Sequence, residues 1–282
     1  MHAPIDPPAG TARRRVTRIR GGHGHADTDV LASEVPAAIT LGTAALATLL
    51  VTPVDLEDFA LGFCLSEALI ERATAIARIE VSERLEGIEI RLHPTADHAL
   101  LTPPRERALP ARSGCGVCGA RTLEDVVRVP RAVPMPQPLP LDALHRALDA
   151  LPLAQPLNQL TGALHAAAWC TVDGSLVLLR EDIGRHNALD KLIGALARAG
   201  TDTRAGFLLL TSRASYEMVM KAATVGIGVI AAISAPTALA ASLADSVGVT
   251  LVGFARAGDA VAYSHAERLR LLPTTGPDAP SI

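Results

Sequence analysis

The segment Ser113-Gly114-Cys115-Gly116-Val117-Cys118-Gly119 carries the sharpest chemical signal in the chain. Two thiols at this spacing can reach each other, and the interleaved glycines let the backbone bend to present them. Arg112 and Arg121 lie close in sequence, and a helix is expected to begin within Thr122 to Val127. A nearby cation or helix N-terminus lowers a thiol pKa and raises its thiolate fraction. Such a thiolate can accept sulfur as a persulfide, and its neighbour can release that sulfur or close a disulfide. Three chemistries compete for this pair. A structural zinc site needs four ligands; with no second Cys pair it would have to recruit His165 or His186, neither at ligand spacing. A thioredoxin-like redox pair opens a helix after a strand and carries fewer glycines. A reactive sulfur-handling loop meets neither objection. Zinc deaminase chemistry has no support, because His165-Ala166-Ala167 lacks the required glutamate and the Cys pair precedes it. Cys64 and Cys170 sit in apolar periodic segments and are expected to be core thiols.

A second constellation runs from Glu181 to Lys191. It gathers Glu181, Asp182, Arg185, His186, Asn187, Asp190 and Lys191 around a strand-to-helix turn. Part of this is ordinary helix chemistry: acids favour a helix start, Asp182 is placed to cap one, and His186 and Asp190 are spaced to pair on one helix face. Arg, His and Asn together exceed what capping requires, which points to a ligand or partner site.

These residues need elements to position them. Ala37 to Leu41 and Leu49 to Val51 read as strands. Thr52-Pro53-Val54-Asp55 then opens a helix, with Thr52 as cap, Pro53 at the first position and Asp55 as the capping-box acid. Leu56, Phe59, Ala60 and Phe63 fall on one face of it. Ile79 to Leu92 alternates, with Glu86-Gly87 as a turn. Residues 93–140 lack periodicity, hold the Cys pair, and end in a Pro-rich linker from Pro130 to Pro140. Asp173-Gly174 marks a hairpin between Ala163–Thr171 and Leu176–Leu179. Then follow a helix from Asn187 to Ala199, strand Phe207–Leu210, helix Tyr216–Val225, strand Ile227–Ile233, helix Pro236–Ser246 and strand Val249–Phe254.

This alternation predicts an α/β fold whose mixed, largely parallel sheet has helices on both faces, with a smaller N-terminal α+β part. The expected organisation is a flexible arm over 1–34, the smaller region over 35–110, the Cys loop and linker over 111–140, the α/β domain over 141–268 and a flexible tail over 269–282. Ligands of such sheets bind beyond the carboxyl ends of the strands. Arg180-Glu181-Asp182, Thr211-Ser212-Arg213, Ser234-Ala235-Pro236 and Phe254-Ala255-Arg256 fall there, and Arg180, Arg213 and Arg256 suggest an anion or phosphate site.

Composition excludes other classes. Hydrophobic residues make up 49% of the 282 residues and charged residues 20%, the balance of a globular chain. A net charge of -3 and an aromatic share of 2% argue against a nucleic-acid platform. The run Arg13-Arg14-Arg15 with Arg18 and Arg20 reads as a solvated arm. No apolar segment follows it as a secretory signal would require. Ala222 to Ala244 is long and apolar, but Gly226, Gly228, Ser234, Pro236 and Thr237 divide it into a buried βα unit rather than a membrane span. The expectation is a cytoplasmic protein with reduced thiols. No P-loop or dinucleotide fingerprint is present.

EDIGRHNALDKLIG resembles the signature of the formate dehydrogenase accessory sulfurtransferase family, FdhD. Thr52-Pro53 with LEDFALGF, GCGVCG, Thr161-Gly162-Ala163-Leu164-His165-Ala166, TSRASYEMVMKA, SAPTALA and GFAR through Tyr263 resemble further family segments in the same order, over roughly residues 35 to 265. The sequence departs at Ala68 and Ala163, where the family commonly has Gly. The resemblance implies a cytidine-deaminase-like core without its zinc and with no intrinsic metal. It implies a sulfur carrier that takes persulfide sulfur from a cysteine desulfurase and passes it to the molybdenum bis(molybdopterin guanine dinucleotide) cofactor, bound as substrate, for formate dehydrogenase. Cys115 would carry the persulfide and Cys118 assist. Phe254, Ala255, Arg256, Ala257, Gly258 and Asp259 would bind the guanine-nucleotide part, with Arg213, Arg185 and His186 as further contacts. A homodimer is compatible with the resemblance. Two alternatives stay open: a chaperone that only holds the cofactor, and a thiol–disulfide redox protein.

Overall fold

The computed structural model describes residues 7–96, 130–134, 138–256 and 258–271. Cys115, Cys118 and Ala257 lie outside the described residues.

A six-stranded sheet organises the structure. Its strands are β8 (His165–Thr171), β9 (Leu176–Asp182), β10 (Gly206–Leu210), β11 (Val229–Ala232), β12 (Thr250–Arg256) and β13 (Asp259–Ser264), in the spatial order β13-β12-β11-β10-β8-β9. Only β10–β11 and β11–β12 pair in parallel; the other three pairings are antiparallel. The sheet is therefore mixed, not largely parallel. The hairpins β8–β9 and β12–β13 each add an antiparallel pair beside the parallel centre.

Side chains alternate through this sheet as pleating requires. Ala167, Trp169, Leu208, Leu210, Ile230, Ala232 and Leu251 point into one buried cluster, shared with α4 (Arg185–Arg198), α5 (Tyr216–Thr224) and α6 (Ala238–Val247). Ala168, Cys170, Phe207, Leu209, Val229, Ala231 and Val252 point the other way, onto α2 (Leu141–Ala150). Helices thus cover both faces. No helix among the described residues is long and apolar enough to cross a membrane. The apolar stretch Ala222 to Ala244 resolves into the end of α5, β11 and the start of α6.

The N-terminal part adds a four-stranded sheet, β4-β3-β6-β5, from β3 (Val35–Leu41), β4 (Ala44–Val51), β5 (Ile76–Arg84) and β6 (Gly87–Pro94). Helix α1 (Leu56–Ser66) lies between this sheet and α4, and one buried cluster runs through all of them. Thr52 does not cap α1. Asp55 occupies the N-cap position in a left-handed conformation, φ 52°, with no side-chain cap bond. The Thr52 hydroxyl instead accepts the Ile183 N–H at 3.1 Å, 131 residues away in sequence.

Residues 11–32, expected as an arm, form a ribbon of β1 (Thr11–Arg20) and β2 (His23–Ala32), paired antiparallel across Gly21-Gly22. Both glycines have positive φ, as a tight hairpin turn demands. Polar side chains on both faces remove the period-2 alternation that would have marked these strands in the sequence. The expected tail also begins with structure: β14 (Leu269–Arg270) pairs with β7 (Leu139–Pro140), at the end of the Pro-rich linker. A short helix, α3 (Pro156–Thr161), precedes β8.

Two glycines set how closely α1 and α4 cross. A Cβ on Gly62 would stand 1.7 Å from the Asp190 carbonyl oxygen, and one on Gly194 would stand 1.9 Å from that of Asp58. Neither backbone can yield without separating the helices. In an ordinary helix Gly→Ala gains about 1 kcal/mol. Here Gly62→Ala and Gly194→Ala should each lose about 2–3 kcal/mol, the cost of overpacking. Urea unfolding of the two variants checks this, and a gain in stability would contradict it.

Candidate functional site at the carboxyl edge of the sheet

Strand β8 runs antiparallel to both β9 and β10, so β9, β10, β11 and β12 share one direction and open at one edge. There Phe254 N–H donates to the Ser234 carbonyl at 3.2 Å, Thr237 N–H to that of Ala214 at 3.1 Å, and Ala166 N–H to Thr211 Oγ1 at 2.8 Å. These bonds lace neighbouring strand-end loops together. His165, the first residue of β8, stands opposite Asp182, the last of β9.

Most of the Glu181–Lys191 constellation builds this edge. Glu181 accepts the Leu157 and Asn158 N–H groups at 3.0 and 2.7 Å, satisfying the first turn of α3. Burial nevertheless raises its pKa above the ordinary value. Asp182 caps no helix: α4 starts from Gly184, while Asp182 accepts the N–H of Gly184 at 2.8 Å, the Asn187 side-chain amide at 2.9 Å and the Thr52 N–H at 3.0 Å. Its remaining partner is the Lys191 ammonium, 2.7 Å away, and both side chains are 0% exposed. Lys191 also donates to the Thr52 and Glu181 carbonyls. Burial pulls the Lys191 pKa down, against the pull of Asp182.

The expected His186–Asp190 pair is absent. Asp190 bonds Lys221 through both oxygens at 3.0 Å and accepts the Ser66 hydroxyl at 2.6 Å. Burial opposes the Lys221 charge, but Asp190 and Glu67 outweigh it and hold its pKa above the ordinary value. His186 turns to α5, its Nε2 lying 2.8 Å from Glu217 Oε2. Arg180 also leaves the expected arginine trio. Its guanidinium donates twice to Asp58 Oδ2, at 3.0 and 2.8 Å, and faces α1.

Three basic side chains gather around His165. Arg185, His186 and Arg213 lie close enough to His165 for their charges to act on its imidazole. Burial lowers the His165 pKa first, Arg185, His186 and Arg213 lower it further, and Asp182 opposes them. The N-termini of α4 and α5 start here, and partial positive charge at such ends favours anions. At the head of α5 the Ser215 hydroxyl is buried without a hydrogen-bond partner among the described residues. Farther along, Phe254 holds φ 50°, strained for a non-glycine residue, and its ring is 42% exposed. Ala255 is buried, Arg256 is exposed, and Arg256 stands opposite Asp259 beside Gly258 in the β12–β13 turn. Cys64 and Cys170 are buried, and burial pushes both thiols up to about 12.

Sequence reasoning placed His165 only as a strand residue or a fourth metal ligand, and it missed Glu217. The register that sets His165 against Asp182 is a tertiary fact. Glu217, one turn into α5, has no signal separating it from an ordinary first-turn acid.

Fold and site together define a mixed α/β protein with a cationic cluster where the strands of its main sheet end. Residues 32–270 match the FdhD/NarQ family, and the chain belongs to that family. It is 50% identical over 276 residues to a protein of Xanthomonas campestris pv. campestris strain B100 named sulfur carrier protein FdhD, with 98% of each chain covered. A protein of the same name from Cupriavidus necator is 49% identical over 255 residues, covering 90% of this chain and 88% of that one. The crystal structure of a protein described as a candidate formate dehydrogenase accessory protein, from Desulfotalea psychrophila, superposes with a TM-score of 0.70 at 25% identity, covering 92% of this chain and 99% of the other.

The crowding of cations predicts a pH signature. The His165 imidazole, followed by NMR, should titrate below the ordinary 6.5. Because the folded value is depressed, His165 supports folding above pH 6.5, and that support is lost as pH falls through the window below it. Arg213→Gln should move the midpoint upward. A midpoint at or above 6.5 in the unaltered protein would contradict the arrangement.

Proposed function

We propose that this protein is a cytoplasmic sulfur carrier, a sulfurtransferase that loads the molybdenum bis(molybdopterin guanine dinucleotide) cofactor used by formate dehydrogenase. The observation that carries the reading is near full-length similarity, at 50% identity, to proteins named sulfur carrier protein FdhD. The buried, weakly acidic thiols of Cys64 and Cys170 support it, since they leave Cys115 and Cys118 as the chain's other two thiols for chemistry.

In this reading the Cys115 thiolate attacks the terminal sulfur of a persulfide on a cysteine desulfurase. A new S–S bond forms, and the desulfurase cysteine leaves as thiolate. Cys118 can then attack Cys115, which forms the Cys115–Cys118 disulfide and releases the outer sulfur as hydrosulfide; the two thiols supply the two electrons, and a cellular dithiol restores them. The cofactor is substrate here. Arg185 and Arg213 offer charge to its phosphates, with the His165 and His186 imidazoles beside them, and Phe254 offers an exposed ring face to a guanine, with Arg256 and Asp259 alongside. The six-stranded sheet and its covering helices would correspond to the cytidine-deaminase-like core, with a Cys loop in place of zinc chemistry.

Incubation with a cysteine desulfurase and free cysteine, followed by intact-mass measurement, tests the reading. It predicts one added sulfur atom that reductant removes and that Cys115→Ala abolishes. With reduced thiols and active desulfurase, no added sulfur would point instead to a protein that holds the cofactor without carrying sulfur.

A further inference from the structure

The β1–β2 ribbon lies almost wholly outside residues 32–270, the stretch that matches the family, and nothing in the sulfur chemistry uses it. Ten residues per strand, at about 3.3 Å per residue, give it a length of about 33 Å. Its base is held to the body: Gly10 sits against Thr52, Val54 and Leu157, and Ser33 N–H donates to the Gly10 carbonyl at 2.8 Å. Beyond that base, every side chain from Arg13 to Thr28 is exposed except those of Val16 and Arg18, which are half-buried.

Charge is distributed unevenly along the chain. The ribbon, residues 11–32, contains five arginines and two acids, Asp27 and Asp29, a surplus of three positive charges. The whole chain is -3, so the remaining residues carry a net charge of minus six. The ribbon is thus a basic projection on an acidic body, and it extends well past the roughly 8 Å over which physiological salt leaves charges visible to one another.

Register separates its two faces. One face holds Arg14 opposite Asp29, Val16 opposite Asp27, Arg18 opposite His25 and Arg20 opposite His23. Arg18 is ion-paired there to both Asp27 and Asp29, so that face neutralises much of its own charge. The other face holds Arg13 opposite Val30, Arg15 opposite Thr28, Thr17 opposite Ala26 and Ile19 opposite Gly24. It carries no acid, and neither Arg13 nor Arg15 has an ion pair among the described residues. Ile19, near the tip, is 72% exposed. Guarding a free strand edge against aggregation explains charges on a ribbon, but it explains neither one-sidedness nor a bare isoleucine beside them.

We propose that this Arg13–Arg15–Ile19 face is a docking surface for an acidic protein partner that offers an apolar recess to Ile19. Arginine beside an exposed aliphatic anchor is the mixture protein interfaces favour. A nucleic acid fits less well. The ribbon has no Phe, Tyr or Trp on which a base could stack, and its cations are few beside the several phosphates a nucleic-acid binder neutralises. The surface is independent of the Cys pair, so it stands or falls separately from the sulfur-carrier reading.

The test uses the full chain and three probes at physiological salt: a glutamate–leucine copolymer, a single-stranded oligonucleotide of equal charge, and phosphatidylserine vesicles. The copolymer should bind most tightly. The double variant Arg13→Gln/Arg15→Gln should weaken it about tenfold, as two ion pairs of about 0.7 kcal/mol each would give. Ile19→Ser should also weaken it, and should leave binding of plain polyglutamate unchanged. All of these side chains are exposed, so the variants should melt with the parent. Tighter binding of the oligonucleotide or the vesicles, or equal copolymer binding by parent and double variant, would overturn the proposal.

Discussion

The Asp182–Lys191 pair, sealed from solvent, is the contact on which the rest of the edge depends. Two charges in an apolar interior are tolerated only when every remaining hydrogen-bonding position is filled. Here Thr52, Gly184, Asn187 and the carbonyls of Thr52 and Glu181 fill them. Those partners come from the end of the N-terminal sheet, the turn after β9 and the first turn of α4. Satisfying one ion pair therefore fixes three elements at once. It also explains why Thr52 abandons the capping role its position suggests, since its hydroxyl is held by Ile183.

With the acids engaged in construction, positive charge is left at the edge. Asp182 is spent on Lys191, Asp190 on Lys221, Asp58 on Arg180 and Glu181 on the backbone of α3. Arg185 and Arg213 act there on His165, where Asp182 opposes them and Glu217 lies beside His186. Crowded positive charge there disfavours the protonated His165 imidazole, a condition an anionic ligand would relieve. The same economy leaves Cys64 and Cys170 inside the core as inert packing.

Period and turn chemistry made the α/β core legible. Asp173-Gly174 located the β8–β9 hairpin, and the strands and helices from β10 to β12 fall within a few residues of their expected limits. Three features were not legible, each for a physical reason. The ribbon hides because both its faces are polar. Arg180 looks like a strand-end cation until its Asp58 partner, 122 residues earlier, is known. His186 has a good helical partner in Asp190, yet Glu217 and Lys221 on α5 re-sort both residues. At the site, spacing alone singled out Cys115 and Cys118, and the structure brings Arg185, His186 and Arg213 around a histidine that had drawn little notice. Local patterns identified the polar residues; only the long-range partners separate those that build the edge from those gathered around His165.

That division of labour is most directly tested by comparing Lys191→Met with Arg213→Gln, measuring unfolding free energy together with formate dehydrogenase activation in cells lacking the native protein. Lys191→Met strands Asp182 in the core and should cost about 3–5 kcal/mol. Arg213→Gln removes an exposed cation, so it should leave stability within about 0.5 kcal/mol and still lose activation. Full activation by Arg213→Gln, or a stability loss matching that of Lys191→Met, would contradict the account.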